Sequence, residues 1–224
     1  MREVVNKVLV ILFLLLVTAC GDIGTLIGDL AGGDVGGSGQ CGGAGETGGC
    51  IRIESIVPEF DGKNTSNVDS VQDTCNLFEM RTATTPIAPK YEVYKDHSAK
   101  LTISNRPLPG VQPTDISDVT LEKYAITYRV NRCPAGGNCP PISELFVAPG
   151  ETMVIPSNGS ITVILPLVPI ATRMAYVGLG GTDSHKPSYT ATYSFTGTDS
   201  FRHPVSVVGS TEFTIGNYDR CAEG

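Results

Sequence analysis

Apolar and polar residues alternate along most of the chain, and the departures from alternation divide it. The first departure is an unbroken apolar run of ten residues, Val8 to Val17. Arg2 and Lys7 precede it and the small residues Thr18 and Ala19 follow it. A positive start, a short apolar stretch and a small-residue end form the pattern of an export leader. Ten residues are too few for a spanning helix, which needs roughly 20. Residues 21–49 hold 13 glycines and only short apolar pieces such as Leu26-Ile27. Such a stretch cannot bury enough apolar surface to fold by itself, and it is expected to act as a tether.

From Cys50 onward the period is two, which marks half-buried strands. Ile51 and Ile53 alternate with Arg52 and Glu54, and Pro58 is expected to end that strand. Ala99, Leu101 and Ile103 predict a second, stopping at Arg106-Pro107. The apolar phase then switches from odd (Val119, Leu121) to even (Tyr124, Ile126, Tyr128, Val130). A switch within one run predicts a β-bulge near Lys123 or a strand that crosses between sheets. Leu145–Val147 and Met153–Ile155 follow, and then Ile161–Leu165, which is expected to sit centrally until Pro166 stops it. The Asn158-Gly159 pair before it is a hairpin signal. Ile170–Val177 fits either a short helix or a crossover. Tyr189–Phe195 and Val205–Ile215 alternate most clearly, with a bulge or close backbone approach expected at Gly209. Residues 58–97 are polar and poorly periodic and predict an extended loop or one added strand.

These elements predict an all-β domain over residues 50–224, an antiparallel sandwich of about 7–9 strands. Their count and spacing resemble an immunoglobulin-like or fibronectin type III-like domain, by pattern alone. Trp is absent, so the Cys…Trp…Cys core of an antibody-type domain is not expected.

The stretch Leu16-Val17-Thr18-Ala19-Cys20 resembles the lipobox of bacterial lipoproteins. The resemblance implies removal of residues 1–19, acylation of Cys20 and attachment to the cell envelope through a lipidated tether, residues 20–49. Two or more acyl chains make such attachment stable. Gly21, not Asp, follows the cysteine, which by the same resemblance favours the outer membrane over the inner. The tether has a root-mean-square reach of about 30 Å.

Charge narrows the partners. The net charge is −7, and a mildly acidic protein offers no field that attracts nucleic acid. Six cysteines follow Cys20: Cys41, Cys50, Cys75, Cys133, Cys139 and Cys221. An even number outside the cytoplasm points to disulfides, with about fifteen pairings open. Cys133 and Cys139 bracket a short loop, as do Cys41 and Cys50, which would leave Cys75 with Cys221. There is no C-x-x-C, so no zinc ribbon, redox pair or covalent haem is expected.

Catalytic signatures are sparse. Asp96-His97-Ser98 and Asp183-Ser184-His185 hold triad residue types in a row, but neighbours in sequence rarely face one another, and no G-x-S-x-G elbow occurs. The histidines are expected to be solvated in loops. Asp115, Asp118, Asp183 and Asp199 read as turn formers in preference to calcium ligands. No catalytic residue, metal or cofactor is assigned. The expected function is a non-enzymatic, membrane-anchored lipoprotein whose sandwich serves binding, of a protein or glycan, or envelope structure. The alternatives are a secreted hydrolase of glycan or peptide, or an accessory subunit of an envelope complex. Binding is expected at the sandwich-end loops Arg106–Thr114, Cys133–Pro141 and Gly197–Pro204.

Overall fold

The computed structural model describes residues 48–147, 152–181 and 184–221. The expected leader, Cys20, Cys41 and all but the end of the expected tether lie outside them. The described chain forms ten strands: β1 (Gly49–Phe60), β2 (Lys63–Asn64), β3 (Asn67–Asp69), β4 (His97–Pro107), β5 (Val119–Arg132), β6 (Leu145–Val147), β7 (Met153–Ile155), β8 (Gly159–Val168), β9 (Ser188–Asp199) and β10 (Pro204–Gly216). Two short helices, α1 (Leu77–Thr82) and α2 (Ile170–Gly178), complete it. One sheet has the order β2-β1-β4-β8 and the other β3-β10-β9-β5-β6, with β7 also on β5. All pairs are antiparallel except β3 with β10, which is parallel.

The expected all-β sandwich is present, with short extra strands and one parallel pair. The alternating apolar side chains explain it. Ile51, Ile53, Leu101 and Ile103 from the first sheet share one core with Leu121, Ile126, Tyr193, Phe195, Val207 and Phe213 from the second. Fully burying such a side chain stabilises by about 1.5–3 kcal/mol. Gly209 lies in register opposite Tyr193. A Cβ there would come within 2.8 Å of Ile53 and 3.1 Å of Ile56. The glycine thus permits a close approach of the sheets, not a bulge. The phase switch near Lys123 is a bulge, since the β5–β9 register shifts between Leu121 and Lys123. Gly197 faces it, where a Cβ would meet Thr120 O at 1.9 Å.

Three expectations fail for tertiary reasons. Asn158-Gly159 makes a turn, with Gly159 N donating to Pro156 O at 3.0 Å, but not a hairpin. The strand before it pairs with β5 and the strand after it with β4, so this turn passes between sheets. Of the two central residues, Ser157 and Asn158, only Asn158 has a positive φ; a type I′ hairpin needs both. Pro58 lies inside β1, paired with Ala99, because β2 reaches β1 only at Glu59 and Phe60 and leaves the missing N–H unrequired. Pro166 likewise does not stop β8, which ends its sheet and is not central.

The registers define two poles. Gly49 pairs with Pro107, and Asn105 with Gly159. Asn105 reaches across to Ser117 O at 2.8 Å, beside Asp118, which accepts Ser200 N. The far pole holds Phe60, His97, Val168, Asp69 and Gly216, where β1, β4, β8, β3 and β10 end. At about 3.3 Å per residue, β1 alone separates the poles by about 36 Å. Among the described residues no helix is long and apolar enough to cross a membrane.

Candidate functional site

The far pole carries the feature that sequence periodicity missed. After β3 the chain leaves the sheet and returns at β4. Between Cys75 and Tyr91 it makes a loop with a closed neck. Thr74 and Tyr91 form an isolated antiparallel bridge, and Cys75 N donates to Lys90 O at 2.7 Å. The Asn76 side chain donates to Ala88 O at 2.9 Å and accepts from Lys90 N at 2.8 Å. Cys75 is bonded to Cys221, with Cα atoms 5.2 Å apart.

Beneath the neck lies a buried charged cluster. Both oxygens of Glu92 accept backbone N–H groups, Oε1 from Asp73 at 2.8 Å and Oε2 from Arg220 at 2.9 Å. Asp69 Oδ1 accepts from Val71 at 3.4 Å and Tyr218 at 3.2 Å. Arg173 of α2 donates to Asp69 O at 2.7 Å and to Lys95 O, and its guanidinium lies 4.2 Å from the Tyr94 ring centre. Arg220 donates to Asn67 O at 2.5 Å and stacks over Phe60 at 4.1 Å. Phe60 also stacks on His97, whose Nε2 donates to Thr65 O at 2.9 Å. Burial pushes His97 down to about 4, so it is a neutral structural histidine, not a solvated one. Asp69, Glu92, Arg173 and Arg220 are buried ionisable side chains. Each is tolerated because it is hydrogen-bonded to backbone or paired with an opposite charge.

The loop above is the opposite in character. No residue of α1 is buried. Leu77, Phe78 (79% exposed), Met80, Ile87 and Tyr91 (56% exposed) are large apolar side chains open to solvent. Arg81 and Glu79 punctuate them. An exposed group of this kind, on a loop whose base is fixed, is a candidate interaction surface. The sequence signal was weak: a run of two apolar residues, Leu77-Phe78, in a polar stretch.

The sequence-predicted residues fall as follows. Cys133–Cys139 is a disulfide, as is Cys75–Cys221. Cys50 is disulfide-bonded too, while Cys20 and Cys41 lie outside the described residues. Of the three candidate loops, Cys133–Pro141 follows the far-pole end of β5, and Arg106–Thr114 and Gly197–Pro204 are at the pole of Gly49. Ser184 Oγ lies 3.0 Å from His185 Nδ1, both exposed; Asp183 is outside the described residues. His203 is held by Asp199, whose Oδ1 accepts Phe201 N and His203 N at 2.8 Å each and whose Oδ2 lies 3.0 Å from His203 Nδ1. Asp199 therefore forms the β9–β10 turn, as expected of it. Asp118 ties Ser157 N at 2.7 Å. Glu92, Asp219 and Cys221 bring ligand-type atoms within 4.8 Å of one another. The Cys221 sulfur is committed to a disulfide and both Glu92 oxygens to backbone, so this trio reads as a structural knot. No known family, curated protein or solved structure matches the chain.

Proposed function

We propose that the protein is a non-enzymatic, acyl-anchored lipoprotein of the bacterial envelope, favouring the outer membrane, that presents the 75–91 loop to a partner protein. The observation that carries this reading is the loop itself, five exposed apolar side chains on a neck fixed by a disulfide and a buried carboxylate. The tether enters at Gly49, and the loop stands at the other end of β1. Aliphatic Leu77, Met80 and Ile87 suit an apolar protein face better than a glycan, which calls for hydrogen bonds. A partner of this kind makes the protein an accessory subunit in the broad sense.

The test uses full-length, acylated protein carrying a photo-crosslinker at Tyr91. One discrete envelope protein is expected, lost in a Phe78→Ser, Leu77→Ser variant. Unchanged crosslinks in that variant, or crosslinks only to lipid or to a second copy, would overturn the reading. Intact mass of the mature N-terminus tests the anchor; Cys20 without acyl mass removes it.

A further inference from the structure

The two lateral sides of the sandwich are finished differently. On one side the edge strands are β2 and β3. They are 2 and 3 residues long and carry Lys63 and Asp69. Short strands with charges keep a sheet edge from pairing with another chain. On the other side the edges are β8 in the first sheet and β6 and β7 in the second. β7 passes into β8 through the Pro156–Gly159 turn, so these edges lie on one side of the molecule. None of their residues is charged, whereas every other strand carries at least one Asp, Glu, Lys or Arg.

The uncharged side is also left open. The inward-facing Ile161, Val163 and Leu165 of β8 are only half-buried. Their register partners on β4, Ile103, Leu101 and Ala99, are fully buried. The difference arises because, among the described residues, no strand lies beyond β8. Leu145, Val147 and Met153 at the second sheet's edge are half-buried in the same way, and Phe146, Val154 and Ile164 are exposed. β8 runs for 10 residues, and the proline that would blunt it, Pro166, comes near its far end. An unpaired backbone edge thus borders an open apolar strip.

We propose that a second copy of the chain covers this side, with β8 antiparallel to β8 about a two-fold axis at Val163. A two-fold contact sets a patch against its own image. In a protein of net charge −7, a charged edge would face its own charge, and this side carries none. Opposed residues of an antiparallel pair share a face of the sheet. With Val163 on the axis, Ile161 faces Leu165 of the second copy and Val163 faces its counterpart, so the three half-buried residues meet one another. Thr162 then faces Ile164 of the second copy, and Pro166, which has no N–H, falls at the end of the pairing. The same axis brings β6 and β7 of the two copies side by side. A standard interface buries about 800 Å² per partner with about 20–30 residues a side. By that measure the 3, 3 and 10 residues of β6, β7 and β8 supply about 500 Å² per copy and on the order of 1,000 Å² in all, where specific pairs begin. Two copies anchored in one membrane would gain effective concentration, but the pairing depends neither on the anchor nor on what the 75–91 loop binds.

Sedimentation of the full-length acylated protein in detergent, over a dilution series, tests this. A dimer that dissociates on dilution is expected. Thr162→Glu with Ile164→Glu sets like charges opposite each other twice, by symmetry, and should weaken the dimer by about tenfold. Thr162→Lys with Ile164→Glu makes the same two pairs opposite in sign and should restore it. Both positions are exposed. A monomer at every concentration overturns the proposal, as does a dimer that the two glutamates leave unchanged. A Lys/Glu variant no tighter than the Glu/Glu one overturns it too. Should the variants not fold, hydrogen exchange of the natural protein decides. The peptide spanning 160–166 must exchange more slowly at high concentration than at low, while peptides from β9 stay constant. Protection that ignores dilution, as cover by residues 21–47 would give, overturns the proposal. So does fast exchange throughout, as an edge left open for a different partner would give.

Discussion

Phe195 in β9 and Arg173 in α2 are both fully buried, yet they hold the molecule in opposite ways. Phe195 sits between the sheets among Tyr124 and Tyr193. Its stabilisation comes from apolar area and close packing, which do not depend on pH or on any one partner. Arg173 sits at the far pole, where its stabilisation depends on carbonyls of Asp69 and Lys95 and on the Tyr94 ring. Removing one member of such a set leaves the others buried and unsatisfied. The core is redundant and the pole is not.

The comparison can be tested from its strongest consequence to its weakest. Phe195→Ala should lose about 3–5 kcal/mol by cavity formation, measured by urea denaturation, with the same loss at pH 5 and pH 8. An equal or larger loss at only one pH would mean the core is coupled to the charged pole. Replacing Cys75 and Cys221 together by Ala opens a link across 146 residues and should cost about 2–4 kcal/mol. Removing Cys133 and Cys139, six residues apart, should cost less by the same loop-closure argument. A reversed order would show that the short bridge carries structure beyond its loop.

The third test concerns pH. His97 is held below its ordinary 6.5, at about 4, so the unfolded chain binds more protons between those values and stability rises with pH there. Asp69 is raised to about 7, so the folded chain binds more protons between about 4 and 7 and stability falls with pH there. The two slopes, each at most about 1.4 kcal/mol per pH unit, oppose one another. The natural protein should be nearly flat from pH 4 to 6.5. Asp69→Asn should unmask a rising profile, and a flat profile in the variant would show that one of these two titrations is absent. Smallest of all, Phe78→Ser should change stability by no more than about 0.5 kcal/mol, as for other exposed sites. A larger loss would mean that the loop is packed and not presented.

The parts legible in the sequence were those set by local period. Tyr189–Phe195 and Val205–Ile215 alternate because each strand has one face in the core. The bulge at Lys123 was readable because side chains change face when a residue is inserted. The far pole was not readable. Glu92, Asp69 and Arg220 look like ordinary surface charges, and they become buried only because segments distant in sequence converge on them. Nor did Asp96-His97-Ser98 say which way His97 points. Its place at the start of β4, against Phe60 and Thr65, turned a supposed loop histidine into a core one.

The chain alone settled the strand pattern, because alternation depends on neighbours in sequence. Tertiary structure alone decided that Asn158-Gly159 passes between sheets and that an apolar loop stands opposite Gly49. Each of those depends on which strand ends meet at a pole. Burial, which no residue carries by itself, then decides that the Asp69 carboxyl is pushed up or an arginine lies under a loop.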